Sequence, residues 1–144
     1  GHERPMTTKT ITYGDVSVTV KRTTVWGAVV RDALADKLRS AAPEAVHPTV
    51  ATYRNVFARL ASQTDSAAGL PFALPTLASS DDELRAALAG YWQLDEALID
   101  LWSAAVVEVD RPLGDPKLQP IEDVPEDLKA DPNSGSTAVK PSKR

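Results

Sequence analysis

SDDELRAALAGYWQLDEALIDLWSAAVVEV, Ser80 to Val109, is the stretch whose reading decides the fold. It carries two of the three tryptophans and the last apolar run before a proline-rich end, so the rest of the chain reads as cover for it. Ser80-Asp81-Asp82-Glu83 fits a capping box. The Ser80 hydroxyl can accept an early amide, Glu83 can reach back, and the acids suit the positive end of the helix dipole. Leu84, Ala87 and Leu88 then line a core-facing stripe. Gly90 either ends this helix before Tyr91-Trp92-Gln93 or sits inside a longer one as a kink, at about 1 kcal/mol relative to alanine. A further helix runs to about Val109. Leu94, Leu98, Leu101 and Ala105 recur three and four residues apart, Trp102 widens their face, and Asp95, Glu96 and Asp100 fall mostly opposite, which predicts a half-buried helix with the leucines in the core.

N-terminal to this stretch, Thr8 to Lys21 alternates. Ile11, Tyr13, Val16, Val18 and Val20 share one face, with Gly14-Asp15 as the turn, which predicts a hairpin. Two strands alone are marginal in water, so the apolar face must lie on the helices or on another copy's strands, and the lid on the chain's own core is the simpler reading. Thr23 or Thr24 can cap a helix to about Ala42. Val25, Val29, Val30, Ala33, Leu34 and Leu38 lie along one side, with Arg31, Asp32, Asp36, Lys37 and Arg39 on the other. Trp26 in its first turn reads first as a seal between hairpin and helix, and second as an anchor for a partner. Pro43 and Pro48 bound a connector. A second helix spans about Thr49 to Gln63, with Val50, Tyr53, Val56, Phe57 and Leu60 inward and Arg54, Asn55 and Arg59 outward on a solvated face. His47, beside it, reads as a surface or capping residue, because a lone histidine without cysteine or paired carboxylates is a poor metal ligand set. Residues 64 to 79, TDSAAGLPFALPTLAS, read as an apolar loop that either packs over the helices or presents Leu70, Phe72, Leu74 and Leu77 to a partner; packing is the leading reading.

A chain of 144 residues with 42% hydrophobic content supports one modest core plus an appendage. There is no cysteine, which excludes disulfides and thiolate metal sites, and a net charge of −4 leaves no basic footprint for nucleic acid. No run approaches the ~20 apolar residues of a membrane helix. Residues 1 to 5 read as a tag remnant ahead of Met6 as initiator. From Asp110 to Arg144 the chain holds six of the eleven prolines and no aromatic residue, so it is expected to be largely disordered, with at most one helical turn near Pro125. The expected architecture is mainly α: about four helices, an N-terminal hairpin, a domain over 6 to 109 and a tail over 110 to 144. Asp95, Glu96 and Asp100 could pair carboxylates one turn apart. Without a histidine, a phosphate loop or a serine elbow beside them, they read as a solvated face, so no catalytic, metal or cofactor site is assigned.

This plan, with Leu94-Asp95-Glu96-Ala97-Leu98-Ile99-Asp100-Leu101-Trp102 leading through Ala105-Val106 to Val109-Asp110-Arg111-Pro112, resembles the tail assembly chaperones of long-tailed (siphovirus-type) bacteriophages. The likeness lies in an acidic helix ending in tryptophan, then Ala-Val and a proline-containing exit. It implies a non-enzymatic protein of the host cytoplasm. Such a protein keeps the tape measure protein soluble and helps recruit tail tube subunits around it, in many members with a longer frameshifted form. A structural head–tail connector or tail-completion protein, self-associated through the hairpin, is the alternative. A holding protein needs exposed apolar surface, for which the candidates are Phe72, Leu74 and Leu77 on the loop, with Trp26 and Trp92 as aromatic anchors.

Overall fold

The structure, a computed structural model, describes residues 7–43 and 46–111. In chain order the elements are β1 (Thr8–Tyr13), β2 (Val16–Lys21), α1 (Val25–Ala41), α2 (Thr49–Ser62), β3 (Thr64–Ala68), α3 (Asp81–Tyr91) and α4 (Glu96–Asp110). The strands form one antiparallel sheet in the order β1-β2-β3. The chain is therefore mixed α and β, not mainly α. The expected hairpin is present, with Tyr13 opposite Val16 and Gly14 at φ 59°, but it is two-thirds of a three-stranded sheet. The third strand comes from the start of the expected loop, where Ser17, Val18 and Thr19 pair with Ala68, Ala67 and Ser66 and a bulge follows between Thr19 and Val20. The expectations for residues 1 to 5 and for the tail from 112 onward lie outside the described residues.

Local chemistry accounts for most element starts. Thr24 accepts the amide of Gly27 at 2.9 Å and opens α1. Ser80 accepts the amide of Glu83 at 3.1 Å while the Glu83 carboxylate accepts that of Ser80 at 2.7 Å, completing the capping box. His47, expected at the surface or as a cap, is exposed, and its Nδ1 accepts the amide of Thr49 at 3.1 Å just ahead of α2, whose cap residue is Pro48. At the other end of α1, two arginines from different helices serve the orphan carbonyls: Arg54 donates to Ala42 at 3.0 Å and Arg85 to Ala41 at 3.3 Å. Arg54 is thus buried, against the expectation of a solvated face, because its guanidinium supplies hydrogen bonds that α1 lacks internally.

One face of the sheet and the inner faces of the helices share a single core. α4 packs on β1, β2 and α2, while α1 packs on α2 and α3. Val18, Val20, Leu38, Phe57, Leu84, Trp102, Val106 and Val109 are among its fully enclosed side chains, each contributing about 1.5–3 kcal/mol over its exposed state. Trp102 is anchored as well as buried, its indole donating to the Thr64 hydroxyl at 3.0 Å. The inward face of α4 is Leu98, Ile99, Trp102, Ala105, Val106 and Val109, whereas Leu101, expected in the core, points outward. α1 departs from expectation in the same way: only Leu34, Leu38 and Ala41 are buried, and Val25, Trp26 and Val29 face out.

Asp110, expected to open the tail, is the last residue of α4 and closes the fold. Its carboxylate accepts the Thr23 amide at 2.9 Å, the Thr23 hydroxyl at 3.0 Å, Arg59 Nη2 at 3.0 Å and Gln63 Nε2 at 3.1 Å. Gln63, itself buried, also donates to the Lys21 carbonyl at 3.0 Å. Arg59 is accordingly a structural partner, although its side chain remains partly solvated. Burial alone would raise the Asp110 carboxyl, but the Thr23 amide, Arg59, the Thr23 hydroxyl and Gln63 outweigh it and hold the group below its ordinary 3.8. A carboxyl depressed by folding contributes stability above its unfolded value, and that contribution is lost as pH falls toward the lower folded value. Asp110→Asn should therefore cost about 2 kcal/mol near neutrality. Urea denaturation of both proteins from pH 7 down to pH 2 should show the gap closing only in the acid range below the unfolded carboxylate value.

Candidate functional site

The five candidate partner-binding residues occupy different settings. Phe72, Leu74 and Leu77 are half-buried and packed against the core. Trp26 is 67% exposed and Trp92 41% exposed. The reading of Trp26 as a seal between hairpin and helix is thus corrected. It stands with Val25 and Val29 on the outer face of the first turns of α1, where the helical period turns all three away from Leu34 and Leu38.

Phe72 and Leu74 line a groove of about 520 Å³ between the 70–79 segment and α3, with Pro71, Glu83, Ala86 and Ala87 on its walls. What holds the segment there is Phe72. Its ring meets Phe57 edge-on at 5.6 Å, Phe57 stacks on Tyr91 at 4.1 Å, and Tyr91 lies 5.3 Å from Trp92, giving a continuous aromatic row from groove to surface. Gly90 makes the approach possible, since a Cβ there would fall 2.5 Å from Phe72 Cδ2. The glycine lies inside α3, one residue before its end, and its place in the sequence is explained by this ring and not by the helix terminus.

A second concavity of about 190 Å³ lies at the α3–α4 turn, lined by Tyr53, Tyr91, Trp92, Leu94, Glu96 and Ile99. The Tyr91 hydroxyl donates to the Tyr53 carbonyl at 2.8 Å and the Tyr53 hydroxyl to Glu96 Oε2 at 2.6 Å, so three elements are tied at its rim. Burial, and then the field of Tyr53, push the Tyr91 hydroxyl well above its ordinary value. The Tyr13 hydroxyl donates to Asp95 at 3.0 Å nearby. Two of the three acids of this face, Asp95 and Glu96, are thus engaged by tyrosines from other elements.

Trp92 and the groove are therefore linked through Tyr91 and Phe57, whereas Trp26 belongs to another region. Thr23, three residues before Trp26, is bonded to Asp110 at the end of α4, while Trp92 neighbours Glu96 at its start. The helix between them is roughly 20 Å long at 1.5 Å per residue. Tyr53, Leu94 and Ile99 are not among the sequence candidates, and Glu96 is there only as one acid of a solvated face; Tyr53 and Glu96 are 43 positions apart, and no local pattern announces their meeting. Among the described residues no group of three or more His, Cys, Asp or Glu is placed to hold a metal ion, and no helix is long and apolar enough to cross a membrane.

Comparison with known proteins gives no match to a family model, to a curated protein or to a solved structure.

The Gly90–Phe72 contact makes a sign prediction. Gly→Ala within a helix ordinarily stabilises by about 1 kcal/mol, but Gly90→Ala should destabilise because the ring must give way. Phe72→Ala should cost about 2–3 kcal/mol, at or below the lower end for a buried phenylalanine, since the ring is half-exposed. In the double variant, where only the Cβ of residue 72 remains, at 3.2 Å, most of the Gly90→Ala penalty should disappear, which urea denaturation of the four proteins in the cycle measures.

Proposed function

We propose that this protein is a tail assembly chaperone of a long-tailed bacteriophage: it binds the tape measure protein, keeps it soluble in the host cytoplasm and helps bring tail tube subunits to it, without catalysis. The reading rests on the resemblance carried by Leu94 to Pro112, and the observation that carries it furthest is the exposed apolar strip Val25, Trp26 and Val29 on α1. A long helical partner offers rows of apolar side chains, and three large ones exposed within a turn and a half of α1 supply the matching contact. Trp26 is the anchor in this arrangement, since an exposed indole contributes large contact area at low entropic cost.

The test is co-expression with the tape measure protein of the same phage. The wild-type chain should hold the tape measure in the soluble fraction and co-purify with it. Trp26→Ser/Val29→Ser should weaken that complex about tenfold or more, with its unfolding midpoint unchanged because both residues are exposed. A tape measure equally soluble with and without this chain would contradict the reading. Mature particles should lack the protein by mass spectrometry; its presence there in fixed stoichiometry would favour a connector or tail-completion role.

A further inference from the structure

The concavity at the α3–α4 turn has a lining whose chemistry selects a ligand. Three of its six lining residues are aromatic, Tyr53, Tyr91 and Trp92, two are aliphatic, and Glu96 is the one carboxylate. Aromatic faces carry negative potential and attract cations. The rings are held in place: Tyr91 is stacked on Phe57 at an interplanar angle of 11° and tethered through its hydroxyl to Tyr53. Trp92, tilted 51° from Tyr91, forms the solvent-facing wall.

The electrostatics point the same way. Glu96 uses Oε2 to accept the Tyr53 hydroxyl, which leaves Oε1 for another donor. The pKa of the Tyr53 hydroxyl is raised, first by that hydrogen bond and then by the charge of Glu96, with burial and the charge of Asp100 as lesser causes. Elsewhere Glu108, Asp32, Asp36, Asp110 and Asp82 each sit against a lysine or arginine, whereas, among the described residues, Asp15, Asp65, Asp81 and Glu83 do not. Asp95, Glu96 and Asp100 have tyrosines and solvent for company, and no ion pair among the described residues. Glu96 stands in the first turn of α4, where the positive end of the helix dipole favours its ionised form.

We propose that this pocket binds an arginine side chain of a partner protein, the guanidinium stacked on Trp92 and donating to Glu96 Oε1. Arginine fits better than lysine because a planar, weakly hydrated guanidinium satisfies an aromatic face and a carboxylate together. The site is distinct from the apolar strip on α1 and does not depend on the partner being a tape measure.

The experiment is an NMR titration of the full chain, following the indole N–H resonances, with an alanine-based helical peptide bearing one arginine. The Trp92 indole should shift and saturate, while the Trp102 indole, buried on Thr64, and the Trp26 indole stay in place. The same peptide with citrulline for arginine should bind at least tenfold more weakly, as should the arginine peptide to Glu96→Gln. Asp100→Asn, which leaves the lining intact, should weaken binding severalfold. Trp92→Ala should abolish binding with little change in unfolding midpoint. Equal binding of the citrulline peptide, no saturating shift at Trp92, or unchanged affinity in both charge variants would overturn the proposal. Equal affinity for a lysine peptide would overturn the assignment to a guanidinium.

Discussion

The carboxylate of Asp110 is the joint on which the rest of the molecule depends. Three junctions meet at it: the passage from β2 to α1 at Thr23, the passage from α2 to β3 at Gln63, and the end of α4. Each brings polar groups that would otherwise be desolvated without a partner, at about 1–3 kcal/mol apiece. One acceptor-only group with several lone pairs serves them together. Gln63 extends the joint to the Lys21 carbonyl, and the Lys21 amide returns to the Gln63 carbonyl at 2.8 Å, so the central strand is locked to α2 by side chain and backbone at once.

The opposite end of α4 is held by tyrosines, Tyr13 on Asp95 and Tyr53 on Glu96, and its middle by Trp102 on Thr64. With its ends and centre fixed, the rotation of α4 is set. Leu98 and Trp102 go inward, and Leu101 is left outside although it lies between them in sequence. Asp110 also holds Thr23, just ahead of α1, whose first turns carry the exposed Val25 and Trp26. The two surfaces with most capacity for recognition lie by opposite ends of α4, the apolar strip just beyond Thr23 and the aromatic-acidic pocket at Glu96. The proposed chaperone role draws on the first, the proposed arginine site on the second.

What could be read in the chain beforehand follows the range of the interaction responsible. The hairpin about Gly14, the capping box at Ser80 and the four helices rest on contacts within a few residues, and they were legible. β3 was not, because Thr-Asp-Ser-Ala-Ala has little β-branched character and becomes a strand only by pairing with β2. Leu101 and Leu98 are both leucines on a helix apolar around much of its circumference, so spacing alone could not choose between them. Asp110 looked like the start of a polar tail because its partners lie 87, 51 and 47 positions away. Arg54 and Arg59 looked solvated for the same reason. At the pocket, Trp92 was visible as a candidate, but its company of Tyr53 and Glu96 is a product of tertiary packing.

Native-state hydrogen exchange at the Thr23 amide tests the central role of Asp110 most directly, because that amide has the Asp110 carboxylate as its acceptor. In the wild-type chain it should exchange only through global unfolding, with the same protection as the amide of Val106 in the core of α4. In Asp110→Asn it should fall to exchange by local opening while Val106 continues to report the global transition. Rapid exchange of Thr23 in the wild type, or protection unaltered by the substitution, would contradict the account.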